Sequence, residues 1–214
     1  MTQLHAAPLA LAAGALVGTL AGVLTAGAAG RSTGRPDTQR RWVAPALTSG
    51  VIAGVGIGVR FGTTVELPAY LFLVAVALPL SAIDVAVRKI PDRILAPAVP
   101  AAIALLALAA NSAGAYGDLG RAVLAGIVSL TAYLALALAT GQLGLGDCKA
   151  AGFCGIFLGY LGWTAAALGV LLAFVLAAAF VAARTVMNGT TPRNKTLAFA
   201  PFIFAGALVA VAVS

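Results

Sequence analysis

Charge is scarce in this chain. Only 9% of its 214 residues are Asp, Glu, Lys or Arg, against roughly 25% in an ordinary soluble domain. With 62% apolar residues and a mean hydropathy of +1.06, one water-soluble core cannot hide the apolar surface. That excludes the soluble globular classes, and with them any estimate of domain number from length alone. Histidine occurs once, at His5 near the N-terminus, and receives no role. Cysteine occurs twice, as Cys148 and Cys154, too few for a disulfide framework or a four-thiolate zinc site. Six apart on a helix, the two do not share a face, and both read as small apolar packers. Neither a metal nor an organic cofactor is expected.

Long apolar runs fill the chain instead. A membrane span needs roughly 20 mainly apolar residues, and eight candidates occur, at about 8–30, 43–61, 68–87, 94–111, 120–140, 149–162, 164–184 and 197–213. The expected fold is all-α, a polytopic membrane helix bundle of about eight transmembrane helices, because unpaired backbone groups are too costly in hydrocarbon. The sixth candidate is short and glycine-rich and is open to a second reading, as a segment that enters the bilayer partway and turns back. The first is read as a retained helix: no Lys or Arg precedes it, and its apolar run exceeds the 7–15 residues of a signal peptide.

The positions of the 13 Lys and Arg residues set an orientation. With the first loop on the cytoplasmic side, Arg31, Arg35, Arg40, Arg41, Arg88, Lys89, Arg93, Lys149, Arg184, Arg193 and Lys195 all fall at cytoplasmic ends, and Arg60 and Arg121 alone fall outside. This positive-inside bias accounts for the net charge of +7 and the pI near 10.1 through the lipid bilayer, with no nucleic-acid partner. Both termini are then expected outside. Trp42 and Trp163 fall at predicted interfaces. Residues 1–66 form a two-helix membrane hairpin whose short basic loop, "GRSTGRPDTQRR", leaves no room for a soluble domain, and residues 67–214 form the remaining membrane core. Gly14, Gly18 and Gly22 in the first span and Gly50, Gly54 and Gly58 in the second recur at four-residue spacing, which lets helix backbones approach closely. They read as packing seams, facing each other across the hairpin.

Of the six carboxylates, Asp37, Glu66 and Asp118 fall in loops. Asp84 sits inside the apolar run of the third span, where a charge is costly and the default reading is functional. Its partner is either Asp147, at the mouth of the sixth span, or Arg88 as a helix-end ion pair at i, i+4. Asp92 follows Ile90 and Pro91 and opens the fourth span, where an acid complements the helix dipole. Asp147 follows Gly144, Leu145 and Gly146; it is either an acidic N-cap in a glycine turn with Lys149 snorkelling, or a reactive group that the glycines let a substrate approach. Two carboxyl groups held together out of water cannot both ionise easily. One then holds a proton while the other accepts one from water, the division of labour of paired-carboxylate hydrolases. The pair titrates as a unit, so base and acid stay unassigned.

Three stretches carry a resemblance. "AIDVAVRKIPDRI", Ala82 to Ile94, resembles the first catalytic block of the type IV prepilin peptidases, membrane aspartyl proteases of the Gly-x-Gly-Asp kind. "GLGDCK", Gly144 to Lys149, is similar to their second block, and "LAFAPFIFAGAL", Leu197 to Leu208, to a segment near the end of that family, with Ala200 where glycine is common. The resemblance covers about residues 70–210. It implies that Asp84 and Asp147 are the catalytic dyad, and that Gly144, Gly146, Lys149, Arg88, Lys89, Ile90, Pro91 and Asp92 shape the site or bind substrate. The implied substrate is a prepilin or pilin-like precursor, cleaved after the glycine that ends its short basic leader, at the cytoplasmic face of a bacterial inner membrane. Larger members carry Cys-x-x-Cys motifs that bind zinc and are linked to N-methylation of the product. The loop here has no cysteine, so methylation is not expected. A transporter lined by the two aspartates, or a non-catalytic membrane scaffold, are the alternative classes. The first needs a polar path to the outer face, and the second leaves Asp84 unexplained.

Overall fold

The computed structural model describes the backbone of residues 3–33, 36–188 and 197–214, with side chains from residue 8 onward except 26–44, 46 and 188. The side chains of His5, Arg31, Arg35, Asp37, Arg40, Arg41, Trp42, Arg193 and Lys195 therefore lie outside the described residues. Eight helices follow in order: α1 (Gln3–Thr33), α2 (Pro36–Phe61), α3 (Leu67–Val87), α4 (Asp92–Ala113), α5 (Tyr116–Thr140), α6 (Leu145–Leu161), α7 (Trp163–Asn188) and α8 (Ala200–Val213). No strand occurs among the described residues. The fold is the all-α bundle expected from the hydrophobic runs.

Five helices, α1, α3, α4, α5 and α7, are long and apolar enough to cross a membrane by themselves. The apolar part of α2, Leu47–Phe61, and α8 are shorter. The 17 residues of α6 carry Asp147 in the first turn, and they rise about 25 Å against a hydrocarbon core of about 30 Å. Position explains this helix. It touches α3, α4, α5, α7 and α8, and Ala150 through Tyr160 are all buried. Enclosed by protein, it needs no lipid-facing length. It is one continuous helix that does not turn back midway. Its first turn adjoins the start of α8 and the α3–α4 turn, and its last turn adjoins the start of α5.

Small residues make the close approaches. A methyl group built on Gly14 would fall onto the Gly54 carbonyl, one on Gly18 onto the Gly50 carbonyl, and one on Gly58 against Ala10. The two glycine series of the hairpin therefore face each other, as their spacing suggests. A second seam joins α5 to α6, where Gly152 meets Leu130, Gly155 meets Ser129 and Gly159 meets Ala125. The glycines that make α6 look broken in the sequence are this seam.

Polar ties fix the register. The Tyr70 hydroxyl donates to the Phe157 carbonyl at 2.9 Å, both residues buried. Arg121 at the start of α5 donates through Nε to the Gly159 carbonyl at 2.7 Å and through Nη2 to the Tyr160 carbonyl at 2.8 Å, satisfying acceptors that a helix leaves open at its C-terminus.

Candidate active site

Asp84 lies in the last turn of α3 and is 5% exposed. A buried carboxylate requires donors, and one comes from α8: the Ala200 backbone N–H donates to Asp84 Oδ2 at 3.2 Å. Ala200 is the first residue of α8, after the N-cap Phe199, so this amide is one of the donors a helix N-terminus leaves free. It points at the carboxylate from the positive end of the helix dipole.

Asp147 reaches the same place from α6. Gly144, not Asp147, is the N-cap. Asp147 stands at the third position of the helix, where its Oδ2 accepts the Gly144 N–H at 3.1 Å. That is half of a capping box, so the N-cap alternative is corrected to a back-bonded acid inside the first turn. The Asp147 carboxylate also lies near the Ala200 amide and within electrostatic range of Asp84. The backbone N–H at the start of α8 thus bonds the α3 carboxylate, with the α6 carboxylate nearby. The alternative partner, Arg88, also acts electrostatically on Asp84, so both groups named for Asp84 are neighbours of it.

The α3–α4 turn closes beside this junction. Arg88 ends α3 in the left-handed region, φ 53° and ψ 39°, with its N–H on the Asp84 carbonyl at 2.7 Å. A non-glycine residue there is uncommon and stores strain. Lys89 is exposed, and Ile90 is half-buried. Pro91 is the N-cap of α4, and Asp92 is in its first turn, as its place in the sequence suggests. Asp92 also has a partner that the spacing does not reveal. Lys149 Nζ lies 2.8 and 2.9 Å from its two carboxylate oxygens, so Lys149 ties α6 to α4 and is not a free snorkelling side chain. Gly146 completes the contact. A Cβ there would lie 3.1 Å from Ile90 Cβ and 3.3 Å from Cγ1. The two sequence blocks are thus held together by one ion pair and one close packing contact. Gly144 is exposed.

Tyr133 on α5 is absent from the sequence expectations. It is buried at 2% exposure. Its ring lies 5.6 Å from that of Phe174 and 6.4 Å from that of Phe199. The available signal was a lone tyrosine in the apolar second half of α5. Cys148 and Cys154 are free and buried, consistent with packing.

The arrangement offers two neighbouring carboxyl groups at one end of a helix bundle, one deeply buried and one half-buried, with a helix-start amide bonded to the first. Two carboxyl groups so placed can share a proton. Comparison with known proteins gives one match: the family model of the type IV leader peptidase family fits residues 71–182, a segment that contains both aspartates and the Lys149–Asp92 tie and ends before Ala200. No curated protein and no solved structure matches the chain.

Proposed function

Because this chain belongs to the type IV leader peptidase family, we propose that it is a membrane aspartyl endopeptidase that removes the short leader from prepilin or pilin-like precursors, with Asp84 and Asp147 as its catalytic dyad. Family membership carries the coarser activity, peptide-bond hydrolysis. The dyad assignment is supported by three separate blocks coming together, Asp84 bonded by the Ala200 amide and Asp147 within electrostatic range of Asp84.

In this mechanism one carboxyl group of the pair is ionised and the other protonated. The ionised group takes a proton from a water molecule as that water's oxygen attacks the scissile carbonyl carbon. The protonated group donates a hydrogen bond to the carbonyl oxygen as it becomes an oxyanion. Collapse of the tetrahedral intermediate breaks the C–N bond, and a proton passes to the leaving nitrogen. The new carboxyl terminus ends the leader, the new amino terminus begins the mature chain, and the dyad regains its single shared proton. The Ala200 N–H holds the Asp84 carboxyl in place for this exchange, at no reorganisation cost because it belongs to a helix start.

Cleavage falls after the glycine that ends the leader, at the cytoplasmic face of a bacterial inner membrane. The exposed Arg88, Lys89 and Arg93 beside the site support that orientation through the positive-inside rule. We attach no methyl-transfer step to the chain, whose residues 31–41, "RSTGRPDTQRR", contain no cysteine. The test is intact-mass spectrometry of a candidate precursor expressed with and without this protein. The expected result is a mass loss equal to the leader, with a new N-terminus directly after its glycine. A precursor cut elsewhere, or a mass unchanged for every pilin-like candidate tried, removes the substrate assignment.

A further inference from the structure

At the end of the bundle opposite the aspartates, four charged side chains gather around one recess. Arg60 and Phe61 at the end of α2, Glu66 just before α3, Asp118 and Arg121 at the start of α5 and Tyr160 at the end of α6 line a space of about 320 Å³, at the lower edge of the roughly 300–1,000 Å³ typical of small-molecule sites. Half of its charge is matched from within. Asp118 accepts Arg121 at 2.9 Å, and the same guanidinium is further committed to the Gly159 and Tyr160 carbonyls. The other half is not. Among the described residues Arg60 and Glu66 take part in no ion pair, and Arg60 rests over the Phe61 ring, 5.3 Å from its centroid.

A second observation points to a ligand. Tyr160 is 6% exposed, and its phenol oxygen is the one fully buried side-chain polar atom among the described residues that has no hydrogen-bond partner. Buried hydroxyls are almost always satisfied. Tyr160 lines the recess beside Glu66 and Asp118.

The unmatched set is one guanidinium, one carboxylate and one phenol oxygen. A ligand that meets all three carries an anionic group for Arg60 and, a short distance away, a cationic N–H donor for Glu66 and Tyr160. The surroundings indicate where that ligand comes from. Trp163 and Tyr116 stand exposed at this same level, at the first residues of α7 and α5, and such aromatic residues mark the headgroup zone of a bilayer. We propose that the recess binds the headgroup of a phospholipid of the phosphoethanolamine type, its phosphate on Arg60 and its ammonium donating to the Glu66 carboxylate and the Tyr160 oxygen. A choline headgroup has no N–H to donate, and a glycerol headgroup brings no positive charge to Glu66. This site is independent of the peptidase reading.

The test is native mass spectrometry of the full chain in detergent, with phosphatidylethanolamine, phosphatidylcholine and phosphatidylglycerol of matched acyl chains supplied in competition. Retention of phosphatidylethanolamine should exceed that of the other two about tenfold, the value of one charge-assisted hydrogen bond. Glu66→Gln and Tyr160→Phe should each reduce that preference to about threefold or less by the same reckoning. Their unfolding temperatures without added lipid report whether they fold, and Tyr160→Phe removes a single oxygen atom. Equal retention of the three lipids by the unaltered protein, or a preference that survives in both variants, overturns the proposal. Thermal stabilisation by soluble O-phosphoethanolamine equal to that by the lipid overturns the assignment to a membrane lipid.

Discussion

Gly146→Ala probes how tightly the two aspartate-bearing segments are spaced. The added methyl would sit 3.1 Å from Ile90 Cβ, 3.3 Å from Cγ1 and 3.5 Å from Cδ1, where carbon atoms prefer about 3.5–4.0 Å. The α3–α4 turn and the first turn of α6 must then part by a few tenths of an ångström. For stability the terms partly cancel. Alanine in place of glycine in a helix gains up to about 1 kcal/mol, and overpacking costs about 1–3 kcal/mol, so the net loss should stay below about 3 kcal/mol. Activity is more sensitive. A misplacement of about 1 Å in a catalytic constellation can cost on the order of 100-fold, so a smaller shift between Asp84 and Asp147 should cost about tenfold in kcat/KM, or about 1.4 kcal/mol. Ile90→Ala removes the atoms at 3.3 and 3.5 Å and lets the turn give. In that background the Gly146→Ala loss should shrink by at least about 0.5 kcal/mol, the lower bound for coupled neighbours. The assay is leader release from a purified precursor by all four members of the double-mutant cycle, with unfolding temperatures in parallel. Full activity of Gly146→Ala, or an unchanged loss in the Ile90→Ala background, refutes the packing argument.

Three further outcomes are expected. Gly54→Leu places a side chain on the Gly14 carbonyl, which is backbone and cannot yield, so the loss should reach or exceed the upper end of the roughly 1–3 kcal/mol of overpacking; thermal unfolding and cross-linking between α1 and α2 measure it. Lys149→Ala breaks an ion pair whose side chains are 48% and 65% exposed. Such pairs are worth roughly 0–1 kcal/mol, so stability should fall by no more than that and activity by a few-fold. A complete loss of activity would give Lys149 a role beyond tethering. The pH dependence of kcat/KM should be bell-shaped: at low pH both dyad carboxyls carry protons and no base remains, and at high pH both are ionised and no acid remains. A profile with a single limb in the range where the protein stays folded contradicts the shared proton.

Much of the fold is legible in the sequence because membrane helices announce themselves by apolar length. All eight runs become helices, and the two glycine series of the hairpin meet as their spacing indicates. The helix ends are less legible. α1 and α2 continue through most of the polar stretch "GRSTGRPDTQRR", because a helix in a hairpin does not stop where the lipid stops. α6 is the instructive case. Its brevity and glycines suggest a half-crossing segment, but both follow from its place as the enclosed central helix seamed to α5. At the candidate site Asp84 and Asp147 stand out because acids in apolar surroundings are costly. The bond from the Ala200 amide to Asp84 across 116 positions and the Lys149–Asp92 tie across 57 positions do not, because pairing over such separations depends on tertiary packing that no local pattern encodes. Tyr133 is missed for the same reason.

The central claim is that two carboxyl groups share one proton at a scissile bond. Its most direct measurement is leader release, followed by intact mass in isolated membranes, for Asp84→Asn and Asp147→Asn beside Asp92→Asn, with expression levels matched. The account predicts no detectable release by either of the first two and substantial release by the third. Normal release by Asp84→Asn or by Asp147→Asn contradicts it.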